Sequence, residues 1–290
     1  MKKFTVLKTC LLVLATFAMI PLHGQINIPD LSPRCQLVQS IGFGKVKVDY
    51  SRPSMNKRVV FGEVVPFGQI WRTGANKATL ITFSEDVLLN DHKVSNGTYS
   101  LFTVPGKKVW TIILNRNTNL WGTDNYDEAK DYLRFEVKTA KLTDHVESFT
   151  IDIVEHTRTT ANIMISWENT LVKFKIGTYA DQIVVAEIEQ KLKNPMTDVA
   201  NTYYAAATYY LDTHRDIDQA MTWVNKSMEI GGEDGYKLLL KAKIYAEKSQ
   251  YQRAIQHARK SIDMASMDEN QKNLVIAAEK LVDKWKMSPN

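Results

Sequence analysis

Hydrophobic and polar residues alternate with a period of two in short segments between residues 35 and 178. The clearest segments are Val46–Tyr50, Tyr99–Val104, Leu133–Val137, Phe149–Ile153 and Leu171–Ile176. This period predicts strands that turn one face to a core and the other to solvent. Val109–Leu114 is apolar on both faces, as expected for a central strand. Many short strands of this kind indicate an antiparallel β-sandwich over residues 35–178.

Turn-forming residues separate these segments. They occur at Ser95–Gly97, Pro105–Gly106, Asn115–Asn119 and Trp167–Asn169, where glycine, proline and asparagine favour tight chain reversals. A single helical turn is also predicted within Asp124–Tyr132.

After Tyr179 the pattern changes to helix-forming residues with an internal repeat. A shift of 34 residues aligns Ala220 with Ala254 and Ser227 with Ser261, among several other matches. A 34-residue period with a helix–turn–helix in each unit is the signature of tetratricopeptide repeats. Residues 179–290 are therefore predicted to form two tetratricopeptide-like units and a capping helix. The fold class predicted for the chain is a β-sandwich followed by this all-α arm.

Tyrosines on the first repeat are candidates for contact with a partner. Helical repeats of this type generally bind other proteins, so the predicted partner of the arm is a protein. The candidate partner-binding residues are Tyr203, Tyr204 and Tyr210. They fall on more than one helix face, so some are expected to pack instead.

The N-terminus is predicted to be a cleavable signal peptide over residues 1–24. Positive charges at Lys2 and Lys3 precede the apolar stretch Cys10–Ile20, which Pro21 ends short of a membrane span. Residues 25–34 then form a leader of the mature chain. The predicted location is periplasmic or secreted, with no membrane span in the mature protein. Only Cys35 remains after cleavage, so an internal disulfide is excluded.

Net charge argues against nucleic acid as a partner. The formal charge of the chain is +5, and removing Lys2, Lys3 and Lys8 with the leader lowers it to +2. Nucleic-acid binding requires a concentrated basic face. The sequence also lacks the common hydrolase, redox and phosphate-loop motifs. Its histidines lack the spacing of metal ligands, so no metal site is predicted. No other cofactor is predicted either.

Candidate chemistry is confined to a cluster of arginine and aromatic residues between positions 49 and 126. Its members are Tyr50, Arg52, Trp71, Arg72, Asn76, Trp121 and Tyr126. In one interpretation the aromatic residues are core and the arginines pair with acids or rings. In the other, the cluster forms a cleft at one end of the sandwich that binds a glycan or a peptide. Arginine offers a planar fork of donors and tryptophan a flat apolar face.

The same region resembles a known family. The strings Asp49–Pro53, Val65–Gly68, Trp71–Asn76 and Gly97–Leu101, with Trp121-Gly122, look like the domain of unknown function 2911 family. The resemblance covers about residues 32–176. It implies an exported bacterial protein, often with a helical-repeat tail. The family has no activity that the resemblance could carry over to this chain.

These features favour a non-enzymatic binding protein. The β-sandwich would recognise a ligand and the arm a partner protein. The alternative is an enzyme, such as a hydrolase, that acts on glycans or envelope material through the arginine and tryptophan cluster. The sequence names no catalytic residue, and it leaves open whether catalysis occurs.

Overall fold

A computed structural model describes residues 28–193 and 198–288. The chain divides into two compact units, Met1–Thr178 and Tyr179–Asn290, called here the β unit and the helical unit. The predicted signal peptide, residues 1–24, lies outside the described residues.

In its described part, from residue 28 onward, the β unit contains nine antiparallel strands joined in one continuous sheet. The strands are β1 (Arg34–Ile41), β2 (Gly44–Ser51), β3 (Thr79–Phe83), β4 (Val87–Leu89), β5 (His92–Val94), β6 (Gly97–Val104), β7 (Val109–Asn115), β8 (Asp131–Val154) and β9 (Thr160–Thr178). Their order across the sheet is β1-β2-β3-β6-β7-β8-β9-β4-β5. The predicted helical turn is present as a short 3-10 helix, Glu128–Lys130.

The sheet folds into two layers because β8 belongs to both. Its first part, up to Lys138, pairs with β7, and its later part pairs with β9. The inward residues of both layers form one core, in which Val48 and Ile112 of one layer join Phe149 and Ile163 of the other. The predicted antiparallel sandwich is thereby confirmed.

Aromatic rings fill one part of this core. Phe61 meets Trp71, Trp110 and Trp167 at centroid distances of 5.0–6.3 Å. Phe149 packs on Trp71 and Trp167 at 5.1 and 5.6 Å. Edge-to-face pairs dominate this aromatic cluster, as the ring quadrupoles favour.

One predicted turn is wrong. Trp167–Asn169 lies inside strand β9, although Glu168 has a positive φ of 56°. The register between β8 and β9 shifts beside it, at Val146 opposite Glu168. Glutamate and asparagine at this irregularity produce a turn-like sequence, but the pairing with β8 continues on both sides of it.

The helical unit contains six helices in the described residues. They are α1 (Ala180–Lys193), α2 (Val199–Asp212), α3 (Ile217–Gly231), α4 (Gly235–Glu247), α5 (Tyr251–Ala265) and α6 (Lys272–Lys286). Asp216 and Asp234 cap the N-termini of α3 and α4 by accepting backbone N–H groups. None of the described helices is long and apolar enough to cross a membrane.

Equivalent contacts recur in the two helix pairs α2–α3 and α4–α5. Ser227 Oγ on α3 donates to the carbonyl of Ala200 at 2.7 Å, and Ser261 Oγ on α5 donates to the carbonyl of Gly235 at 2.6 Å. Ala220 and Ala254 are fully buried, at equivalent places on the same two helices. Small residues there allow the paired helices to approach closely.

Candidate functional site: the Arg72 cavity

The segment Trp71–Asn76 leaves the sheet in an unusual backbone conformation. Trp71 still forms an antiparallel bridge with Thr103, with N–O distances of 2.8 and 2.9 Å. Thr73 then adopts a φ of 55° and Asn76 a φ of 58°. A positive φ is a genuine outlier for a β-branched residue such as Thr73, and it signals local strain.

Buried hydrogen bonds hold this strained turn in place. Thr73 Oγ1 donates to Thr103 Oγ1 at 3.1 Å, and Thr79 Oγ1 donates to the Thr73 carbonyl at 2.6 Å. The indole N–H of Trp71 donates to the Gly74 carbonyl at 3.1 Å. The surrounding structure therefore fixes the turn.

Only glycine fits at position 74. Its φ is 152°, and a Cβ there would lie 3.0 Å from the Ser51 carbonyl oxygen and 3.1 Å from Thr79 Oγ1. The close approach of the turn to Ser51 brings Arg72 and Asn76 to the border of a cavity.

This cavity, called here the Arg72 cavity, has a volume of about 660 Å³. Its apolar wall includes Trp71, Trp167, Val64 and Val65. Its polar border includes Arg58, Arg72, Asn76 and Asp30. The volume falls within the range of about 300–1,000 Å³ that is typical of small-molecule sites.

Arg72 is a half-buried cation with unused hydrogen-bonding capacity. Its Nε atom is buried and has no hydrogen-bond partner among the described residues. Burial lowers the pKa of the Arg72 guanidinium, and the charge of Asp124 opposes that shift. A Cβ added to Gly122 would lie 3.5 Å from Arg72 Nη1, so the guanidinium packs beside the loop after Trp121.

The other arginine on the cavity border is differently placed. Arg58 Nε donates to the Met55 carbonyl and Nη2 to the Ser54 carbonyl, both at 2.8 Å. Two of its donor nitrogens are thus engaged by the backbone of its own loop. Of these two arginines, Arg72 is the one with a buried donor atom, Nε, that has no acceptor among the described residues.

Tyr50 and Arg52 belong to the framework of the β unit. Tyr50 is 1% exposed, and its hydroxyl donates to the Ile151 carbonyl and accepts from the Ile151 N–H. Burial raises the pKa of Tyr50 to about 12. Arg52 Nε donates to the Phe149 carbonyl at 3.1 Å, and Nη2 donates to Thr150 Oγ1 at 2.7 Å. Neither side chain lines the Arg72 cavity.

Trp121 and Tyr126 also lie outside the cavity lining. Trp121 is 61% exposed, on a segment that bridges to Lys77. Tyr126 packs on Phe102, and its hydroxyl donates to Asp131 Oδ2 at 2.7 Å. Burial raises the pKa of Tyr126 to about 12. Of the seven residues singled out in the sequence, the cavity brings together Trp71, Arg72 and Asn76.

The candidate tyrosines of the helical unit are all half-buried. Tyr210 packs edge to face on Trp223 at 4.6 Å, and Tyr204 packs against the core formed by α2, α3 and α4. Burial raises the pKa of Tyr204. Tyr203, on α2, has no ring contact among the described residues.

Sequence reasoning missed several residues of the site. Trp167, Arg58 and Asp30 come from segments distant in sequence, and nothing in their local pattern indicates that they converge. Within the described residues, no three His, Cys, Asp or Glu side chains group closely enough to hold a metal ion.

Comparison with known proteins yields one similarity. No curated protein and no solved structure matches the chain. Residues 32–176, half of the sequence, match the family described as "Protein of unknown function (DUF2911)". That match includes the strained turn Trp71–Asn76 and most of the cavity lining. The chain therefore belongs to the DUF2911 family.

Proposed function

We propose that this protein is a non-enzymatic binding protein whose Arg72 cavity takes a ligand carrying a carboxylate. The observation that supports this most is the half-buried Arg72 guanidinium, whose buried Nε–H has no acceptor within residues 28–193 and 198–288. Buried donors in folded proteins are nearly always satisfied, by protein, water or ligand. A carboxylate would supply the missing acceptor and would add a second opposite charge to that of Asp124.

The geometry around Arg72 favours a preorganised site. The turn that carries it is strained at Thr73 and held by hydrogen bonds to Thr103 and Thr79. Strain of this kind persists only where surrounding contacts enforce it, and it is concentrated at ligand-binding and active sites. The backbone that carries Arg72 is therefore fixed before a ligand binds.

The apolar wall defines the rest of the ligand. Trp71 and Trp167 line the cavity together with Val64 and Val65. A sugar ring or a short peptide segment would contact this wall while its carboxylate meets Arg72. Glycans and peptides of the cell envelope fit this description, which agrees with the proposed periplasmic or secreted location.

The enzymatic alternative has weaker support. Glycoside hydrolysis usually employs two carboxyl groups, about 5–10 Å apart. In the part of the chain that the structure describes, the cavity lining contains a single carboxylate, that of Asp30. Binding therefore accounts for more of the observed arrangement.

For the helical unit we propose a tetratricopeptide-like role in contacting a partner protein. The support is the 34-residue spacing of α3 and α5, which begin at Ile217 and Tyr251. The matching hydrogen bonds of Ser227 and Ser261 add to it.

Calorimetric titration with N-acetylmuramic acid tests the ligand proposal, with N-acetylglucosamine as the matched sugar without a carboxylate. We expect the acidic sugar to bind more tightly, and Arg72→Gln to remove the difference. Arg253→Gln, at an exposed position of α5, is the control and should bind as the wild type does. Equal affinity for both sugars, or an Arg72→Gln variant that binds normally, would refute the proposal.

A further inference from the structure

A second cavity in the β unit is lined by donors and positive charge. It is called here the Trp110 cavity and has a volume of about 330 Å³. Its lining residues are Phe61, Phe67, Gly106, Lys107, Trp110, Thr139, Ala140, Lys141, Asn169 and Thr170. They come from β7, which carries Trp110, from the turn before it, from β8, from β9 and from the loop that carries Phe61 and Phe67.

The most informative residue of this cavity is Trp110. Its side chain is only 1% exposed, and its indole Nε1 has no hydrogen-bond partner among the described residues. The indole nitrogen can only donate. The nearest ring, Phe61 at 5.0 Å, offers at most a weak contact with a π-face. The Nε1 atom itself has no accessible surface, so an oxygen acceptor that enters the cavity would satisfy this donor after the adjoining side chains move apart.

The charged residues of the lining are both positive. Lys107 and Lys141 bring ammonium groups to the cavity, and no lining residue carries a carboxylate. Lys107 Nζ is held 5.9 Å from the centroid of the Phe67 ring. The other three cavities described in the chain each include at least one acidic residue. The Trp110 cavity is thus suited to an anion.

The backbone at the cavity is fixed on two sides. A Cβ on Gly106 would lie 2.3 Å from the Val109 carbonyl oxygen, so the tight turn that presents Lys107 depends on glycine. Thr139 Oγ1 donates to the Lys107 carbonyl at 3.2 Å, and the Thr139 N–H donates to the Lys108 carbonyl at 2.9 Å. These bonds tie the turn to β8.

We propose that the Trp110 cavity is a second ligand site, which binds a small organic carboxylate between Trp110, Lys107 and Lys141. The carboxylate accepts from the indole N–H and pairs with the ammonium groups. Its apolar body contacts Phe61 and Phe67. A water molecule occupies about 30 Å³ in the liquid. A cavity of about 330 Å³ therefore has room for roughly ten non-hydrogen atoms. This proposal is independent of the Arg72 cavity, which shares none of these lining residues.

Benzoate is a suitable probe, and benzamide is its uncharged counterpart of nearly equal shape. Both are titrated into the ¹⁵N-labelled full chain while the indole N–H resonances are recorded. A parallel titration in the Arg72→Gln background removes any contribution from the Arg72 cavity. We expect benzoate to shift one indole resonance saturably in both proteins, and benzamide to shift it far less.

Variants assign the resonance and test the charges. Trp110→Phe should remove the shifting resonance. Lys107→Gln combined with Lys141→Gln, two exposed substitutions, should weaken benzoate binding at least about tenfold. Lys45→Gln with Lys93→Gln is the matched control and should leave the affinity unchanged. The proposal is overturned if no indole resonance moves with benzoate. It is equally overturned if benzamide acts like benzoate, or if the Lys107 and Lys141 variant binds as tightly as the wild type.

Discussion

Trp71 and Trp167 stack with their ring centroids 6.0 Å apart and their planes inclined by 18°. Each indole N–H is satisfied by a backbone carbonyl, that of Gly74 for Trp71 and that of Glu147 for Trp167. The same two rings border the Arg72 cavity. The apolar wall of the candidate site is therefore part of the core, and substituting either tryptophan would change folding and binding together.

Substitutions at Arg72 and Arg52 should affect the stability of the β unit differently. Arg72→Met should leave the free energy of unfolding within about 0.5 kcal/mol of the wild type or raise it, because the Arg72 Nε–H has no acceptor to lose. Arg52→Met should lower it by roughly 1.5–3 kcal/mol, because Arg52 donates to Phe149 and Thr150. Urea unfolding of both variants measures the difference. A marked loss of stability in Arg72→Met would show that Arg72 is a structural residue.

Gly74→Ala should destabilise the β unit by more than about 1 kcal/mol, because φ is positive and the new Cβ would crowd the Ser51 carbonyl. Gly177→Ala is the matched control. Its nearest neighbour would be Leu88 Cβ at an ordinary 3.7 Å, and its φ lies outside the left-handed region. Thermal unfolding compares the two variants, and equal melting temperatures would contradict the close approach described here.

Alkaline titration should resolve the tyrosines. Hydrogen bonds with the side chain and backbone of Ser95 lower the pKa of Tyr132, whereas burial raises the pKa of Tyr50 from 10.0 to about 12. The folded protein therefore keeps the Tyr50 hydroxyl protonated at pH values at which the unfolded chain would lose that proton. The corresponding stabilisation is complete below pH 10 and is lost as the pH rises towards 12.

Absorbance at the tyrosinate band follows this ionisation. Tyr132→Phe should remove absorbance that develops at the lower-pH end of the titration. Tyr50→Phe should remove absorbance that develops at the higher-pH end. The prediction fails if Tyr50→Phe removes absorbance that develops below pH 10.

Ser227→Ala and Ser261→Ala should lower the stability of the helical unit by similar amounts, about 1 kcal/mol each. Both hydroxyls donate to a carbonyl in the first turn of the preceding helix, and each variant removes that buried hydrogen bond between two helices. Ser266→Ala is the control, because the exposed Ser266 hydroxyl donates to the Ile262 carbonyl of the helix that ends just before it. Helical circular dichroism during urea unfolding measures all three. Unequal losses at Ser227 and Ser261 would argue against equivalent repeats.

The sequence predicted the strands whose two faces meet different surroundings. Val46–Tyr50 alternates because β2 has the core on one side, whereas Val109–Leu114, apart from Thr111, is apolar on both faces because β7 lies between β6 and β8 and is largely buried. Leu133–Val137 and Phe149–Ile153 were expected as separate strands, yet both belong to β8. The residues between them are mostly exposed, so they carry no alternation that would reveal the continuous strand.

The candidate site was predicted only where its residues are contiguous. Trp71, Arg72 and Asn76 lie in one turn, and their unusual composition marked them. Trp167 reaches the cavity through the pairing of β9 with β8, and Asp30 through the course of the chain before β1. Local sequence patterns encode neither arrangement. Tyr50 and Arg52 were grouped with them by proximity in sequence, but their hydrogen bonds tie them to Ile151, Phe149 and Thr150 instead.

Strand β8, which serves both layers of the sandwich, limits how the length of this chain can vary during evolution. An insertion of one residue within its paired parts would turn every following side chain to the opposite face. The stretch between Lys141 and Val146 is different, because the register with β9 already shifts there and residues 143–145 are exposed. Related chains should therefore gain or lose residues at this point of β8, while the spacing from Asp131 to Lys138 stays constant.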